Sequence, residues 1–230
     1  MLSIRVVICL AGILGHSAIA ASSPTSSTAQ NSTPPILLKA ERMLDVTAGK
    51  YLFHPALLLE GGRIKKVGTE AELAGSLPRN TVVLDLGRAT LLPGLIDCHT
   101  HLMMRQATDG YVQELLTKSV AARTLDGVAS ARQTLYAGFT TVRDLGSEGA
   151  QYADVALRDA IQKGLVQGPR MQVATMAIAA TGQYMPFGVS PDLVGFPRGA
   201  QEISGADEAR RAVRTQVKFG ADVIKIYADW

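Results

Sequence analysis

The segment Leu91-Leu92-Pro93-Gly94-Leu95-Ile96-Asp97-Cys98-His99-Thr100-His101-Leu102 carries one carboxylate and two imidazoles at intervals of two residues. In a strand, residues two apart share a face, so Asp97, His99 and His101 point one way and Ile96, Cys98 and Thr100 the other. Parallel sheets are normally apolar on both faces, so a buried row of this kind must be paired or bound to metal. Two neutral imidazoles at a strand end are placed to share a divalent ion. Two histidines merely hydrogen-bonded within a sheet would give the same spacing. The longer run, from Pro93-Gly94 through Ile96-Asp97 to His101, is far more specific than His-x-His alone.

A second candidate is Lys225, in Gly220-Ala221-Asp222-Val223-Ile224-Lys225-Ile226-Tyr227. Period two puts Val223, Lys225 and Tyr227 on one face. An ammonium on so apolar a strand is costly unless it is neutralised or paired. A deprotonated lysine amine can take up carbon dioxide as a carbamate, whose two oxygens can bridge two metal ions. The plain alternative is a lysine snorkelling from an edge strand.

These residues need elements to position them. From Ile36 to about Leu92 the texture is short strands and tight turns. Residues 56–59 and 64–68 read as a hairpin around Glu60-Gly61-Gly62-Arg63, whose glycines supply positive φ. Residues 81–86 and 89–92 add two strands, making a small, mostly antiparallel β unit. After Pro93-Gly94, strand candidates at 95–101, 139–143, 171–178 and 222–227 alternate with helical stretches at 111–136, 152–163 and 206–219. Gly138, Gly164 and Gly220 mark the helix ends. Repeated βα units imply a parallel sheet with helices outside, and an open four-stranded α/β sheet fits this local pattern too.

The ends and the composition set further bounds. Arg5, the apolar run 6–15 and Ala18-Ile19-Ala20 read as an export signal over residues 1–20, cut before Ala21. The run is too short for a membrane span, which needs about 20 apolar residues, so no stable membrane anchor is expected. The chain is thus expected to be exported, periplasmic or secreted. Residues 21–35 are rich in Ser, Thr and Pro and read as a disordered linker. Cleavage would leave Cys98 as the sole cysteine, without an intramolecular disulfide. With 47% hydrophobic and 19% charged residues and a net charge of +3, the 230-residue chain is not intrinsically disordered. It has no cationic run interleaved with aromatics, which argues against a nucleic-acid partner. No Gly-x-Gly-x-x-Gly turn follows a strand, which argues against a dinucleotide binder.

Together, the segment around His99 and His101, and Lys225 on the fourth strand candidate, resemble the amidohydrolase superfamily of metal-dependent (β/α)8-barrel hydrolases. Ala137-Gly138-Phe139-Thr140-Thr141-Val142-Arg143-Asp144, Gly168-Pro169-Arg170 and the run 220–227 are similar to its imidazolonepropionase-like and secreted prolidase-like (Xaa-Pro or Xaa-Arg/Lys dipeptidase) branch. The resemblance covers residues 36–230. It implies an α/β fold: the N-terminal half of the barrel (94–230), preceded by part of a small β-sandwich (36–93). It also implies that His99 and His101 bind a first metal and that Lys225, as N6-carboxylysine, bridges to a second. Two zinc ions are the metals such donors favour. Asp97 has no ligand role in the pattern and is assigned to ordering the strand. Asp144, at the C-terminal end of the second strand, is read as a support behind the ligands. Where some relatives carry a Gly-Gly-His turn, this chain has Gln183 and Tyr184, which leaves its specificity open.

The implied reaction is hydrolysis of a C–N bond, in a small peptide or amide, by metal-activated water. The family's histidines on strands five and six and its aspartate on strand eight have no counterpart here. The expectation is therefore a fragment with little activity of its own and no assigned catalytic acid or base. Two alternatives stay open: a non-catalytic exported metal-binding chain, or a half-barrel completed by a second chain in an oligomer.

Overall fold

The computed structural model describes residues 33–105, 110–184, 190, 192 and 195–228, so the expected leader and most of the linker lie outside the described residues. The chain divides into two compact units, with the boundary between Gly94 and Leu95.

The first unit contains β1 (Ile36–Lys39), β2 (Arg42–Asp45), β3 (Lys50–Phe53), β4 (Pro55–Glu60), β5 (Arg63–Thr69), α1 (Glu70–Ala74), β6 (Val82–Asp85) and β7 (Thr90–Leu91). One sheet has the order β5-β4-β1-β6 and the other β3-β2-β7. The β4–β5 hairpin turns at Gly61 and Gly62, with φ of 55° and 71°, as its glycine pair predicts. Pairing is mixed, since β1 runs parallel to β6 and β2 parallel to β7. In β1, consecutive Leu37 and Leu38 are both buried because the sheet is covered on both faces. Leu37 packs with Ala56, Leu73 and Leu77 under α1, while Leu38 meets Leu57, Leu59, Met43 and Leu91.

The second unit contains β8 (Leu95–Thr100), α2 (Tyr111–Thr117), α3 (Val120–Tyr136), β9 (Phe139–Asp144), α4 (Ala153–Gln162), β10 (Arg170–Val173), β11 (Ala177–Ala180), β12 (Ala200–Ile203) and α5 (Ala206–Lys218). Strands β8, β9 and β10 form a parallel sheet in the order β10-β9-β8, with α3 and α4 as the intervening helices. Leu102, Met103, Ala131, Val142, Leu157 and Met171 make the core between helices and sheet. Gly127 of α3 sits so close to the Met103 thioether that a Cβ there would collide with it. Gly138, Gly164 and Gly220 all take positive φ just past a helix, as expected. Among the described residues, no helix is long and apolar enough to cross a membrane.

Four expectations change. The stretch 111–136 is two helices, because Ser119 caps a new start by accepting the Ala122 amide at 3.2 Å. The strand expected at 171–178 bends into β10 and β11 at Thr175, whose φ is 61°. There the Thr175 N–H goes to Asp154 Oδ2 at 2.7 Å and its carbonyl takes the Ser147 amide, so neither serves a ladder. After this bend β11 pairs in parallel with β12, a strand with no sequence signal. Residues 222–227 form no full strand: a single parallel bridge joins Ile226 to Ile178, supported by backbone bonds from Ile178 N to Lys225 O and from Tyr227 N to Ile178 O. Finally, β8 is the edge of its sheet, and Ile96 is 65% exposed, so the histidine strand is not buried on both faces.

Candidate metal centre

The ladder between β8 and β9 breaks register between Asp97 and Thr100. Side chains take over where it does. Asp97 Oδ1 accepts the His99 amide at 3.0 Å, and Arg143 Nε donates to the Cys98 carbonyl at 2.9 Å. Asp97 thus contacts the strand's own backbone.

The two imidazoles meet edge to edge, His99 Nε2 lying 3.2 Å from His101 Nε2. The other nitrogen of His101, Nδ1, sits 3.0 Å from the Gly146 carbonyl oxygen and 3.3 Å from Glu148 Oε1. Both neighbours are acceptors, so Nδ1 carries the hydrogen, and in the neutral ring Nε2 presents the lone pair. Two nitrogens bound tetrahedrally at ~2.1 Å to one divalent ion stand roughly 3.4 Å apart. The observed spacing fits a shared ion. Burial pushes the His99 imidazole below its ordinary value, and the charges of His101, Lys225 and Arg143 push the same way. That favours the neutral, ligating form.

Lys225 is half-buried, with Nζ 4.7 Å from the centre of the Tyr227 ring, and its charge reaches His99. Lys225 thus lies within electrostatic reach of His99, on an extended segment and not on a laddered strand. Among the described residues, no three His, Cys, Asp or Glu side chains converge to hold a metal. The donors on hand are two imidazoles and the lysine amine.

Asp144, at the end of β9, is fully buried behind this strand end. Its Oδ1 accepts the Thr100 hydroxyl at 2.9 Å and the Leu102 amide at 2.8 Å, holding a side chain before His101 and the backbone after it. Burial, with Asp154 and Glu148 nearby, pushes its carboxyl up to about 8, against the Leu102 and Thr100 hydrogen bonds. Burial thus favours the uncharged acid at neutral pH, and Oδ2 makes no hydrogen bond with the described residues.

Two contributors, Glu148 and Asp154, carry no signal in residue spacing. Glu148 is 3% exposed at φ 51° and holds the Tyr184 hydroxyl at 2.6 Å through Oε2. Tyr184 in turn accepts from the Tyr227 hydroxyl at 3.3 Å and stacks on that ring at 4.8 Å. Asp154, buried and pushed up to about 6, fixes the Thr175 bend. Gln183 closes its own turn, its Oε1 accepting the Ala180 amide.

Residues 90–229 match the amidohydrolase family, and the chain belongs to that family. Among its relatives, an ochratoxinase from Aspergillus niger is 30% identical over 197 residues, covering 78% of this chain and 39% of that protein. A prolidase crystallised with N-methylphosphonate-L-proline superposes with a TM-score of 0.67 at 30% identity, over 84% of this chain and 46% of that one. An Xaa-Pro dipeptidase with methionine in its active site gives 0.69 at 29%, over 84% and 46%. The chain spans less than half the length of each.

Proposed function

We propose that this chain builds the histidine–lysine side of a metal centre that hydrolyses C–N bonds in small peptides or amides. The observation that carries the reading is the 3.2 Å approach of two Nε2 atoms, with the other nitrogen of His101 engaged by the Gly146 carbonyl and Glu148. Relatives named as a prolidase and a dipeptidase support the substrate class. His99 and His101 would hold the first ion, and Lys225, as N6-carboxylysine, would reach a second. Imidazole and carboxylate donors favour zinc for both. When bound, the ions supply Lewis acidity and a water acidic enough to lose its proton near neutral pH.

The chain's own residues do the positioning. Asp97 and Asp144 shape the strand end, Glu148 orients His101, and the downward shift at His99 favours its neutral form. The match covers under half of each relative, so in this reading turnover needs further ligands and a proton-shuttling carboxylate from the barrel's other half. The unpaired edge of β8 in its sheet, with Ile96 exposed, also suits completion by further strands, from this protein or a second chain. We place the protein outside the cytoplasm, on the strength of the leader-like start.

The test is metal content together with dipeptide hydrolysis by the purified chain. Stoichiometric zinc that is lost in H99A and H101A, with little turnover, is expected. A chain that takes up no divalent ion would overturn the reading.

A further inference from the structure

Ligand histidines need their second nitrogen engaged, because that hydrogen bond fixes the tautomer and the ring orientation. At His101 the engagement is built by one short loop. Gly146 lends its carbonyl, and its lack of a side chain lets the groups close in: a Cβ there would lie 3.2 Å from Glu148 Oε1 and 3.5 Å from His101 Nδ1. Two residues on, Glu148 takes a left-handed backbone, which a non-glycine residue adopts at a cost. The result is a buried carboxylate with one oxygen at His101 Nδ1 and the other on the Tyr184 hydroxyl. Tyr184 is itself held by Tyr227, whose ring lies under the Lys225 amine. A buried carboxylate with an unconventional backbone, one oxygen hydrogen-bonded by the Tyr184 hydroxyl and the other 3.3 Å from His101 Nδ1, is more than a packing residue.

We propose that Glu148 is a positioning residue. It locks His101 in the Nδ1–H tautomer, with Tyr184 as the brace that holds the carboxylate in place. The statement about the tautomer stands without any metal; its consequence for ion binding rests on the reading in the preceding section.

The experiment compares wild type, Glu148→Gln and Tyr184→Phe in two measurements. In the metal-free chain, nitrogen-15 NMR of the His101 ring near neutral pH should show one tautomer, protonated at Nδ1. Glu148→Gln should give a mixture, and Tyr184→Phe a smaller shift in the same direction. In a zinc titration against a competing chelator, Glu148→Gln should weaken binding roughly 10- to 100-fold, the usual cost of losing an outer partner of a ligand histidine. The tautomer measurement decides the proposal: an unchanged His101 in Glu148→Gln overturns it, as does an unchanged His101 in Tyr184→Phe should Glu148→Gln fail to fold. Zinc binding by the wild type decides the metal reading separately. A purely structural role would lower the melting temperature and leave the tautomer alone.

Discussion

The two places that carry the candidate ligands are built to different standards. The strand end at His99 and His101 is held at nearly every polar atom: by Asp97 at the His99 amide, by Asp144 on both sides of His101, and by Gly146 and Glu148 at its ring. The segment at Lys225 is held by the bridge to Ile178, by backbone bonds from Asp222 N and Val223 N to Val173 O, by the Val173 amide and Arg158 on the Asp222 carboxylate, and by the Tyr227–Tyr184 hydroxyl contact. The histidine side is organised by residues of this chain alone. On the lysine side the anchoring reaches Asp222 and Tyr227, while Lys225 Nζ itself lies over the Tyr227 ring. In the proposed reading, a first ion would sit on the pre-set pair of imidazoles and a second would need further structure.

Direct removal of ligands should expose that asymmetry most strongly. His101→Ala is expected to weaken zinc binding by more than about 100-fold, beyond the range for losing an outer hydrogen-bond partner. Lys225→Gln should leave the first ion bound and remove only weaker uptake of a second. Calorimetric titration of both variants checks the contrast. Equal losses would mean that the two sides are one site from the start.

Asp144 comes next. Asp144→Ala leaves the Thr100 hydroxyl and the Leu102 amide without their buried acceptor, a loss of about 2–4 kcal/mol in urea unfolding. Asp144→Asn keeps an acceptor and mimics the uncharged acid, so about 1 kcal/mol or less is expected. The sign of the pH dependence follows from the same group. Folded Asp144 keeps its proton to about pH 8, whereas an unfolded aspartate releases it near 3.8. Its contribution is complete below about pH 4 and is lost as pH rises towards 8. Asp154, raised to about 6, tilts the lower part of that range the same way. Stability of the wild type should therefore fall with rising pH relative to Asp144→Asn. A flat difference would mean that Asp144 is ionised in the folded chain.

On the lysine side, Asp222→Ala removes the acceptor for Arg158 Nη1 and for the Val173 amide. Arg158 keeps the Gly220 carbonyl and Asp159, and Asp222 is partly exposed, so the stability cost should be about 1 kcal/mol. Hydrogen exchange should rise around residues 222–227 and stay unchanged at 99–102.

What could be read from the residues divides along the same line. His99 and His101 are legible because period two is a property of the local backbone and persists through a register break. The Gly61-Gly62 turn is legible because few other residues accept two successive positive φ values. Glu148 is illegible: it sits on a loop with no periodicity, in a conformation glutamate seldom takes. The bend at Thr175 is hidden for a like reason, since a β-branched residue argues for strand and only the buried Asp154 overrides it. Lys225 and Tyr227 lie together as alternation predicts, but the full strand expected around them does not form, because a ladder depends on a partner and that partner bends away.

The smallest effect tests whether the two sides meet at all. Burial is the largest cause of the lowered His99 value, with the charge of His101 next and that of Lys225 third. Lys225→Gln removes that charge while keeping a side chain of similar length. The His99 imidazole should then titrate slightly higher, moving back towards its ordinary value, and NMR titration of the metal-free chain reads the shift directly. The effect is modest because Lys225 is half-buried and water screens part of its charge. His99 titrating identically in Lys225→Gln and wild type would separate the lysine from the histidine pair and leave the first ion's site standing by itself.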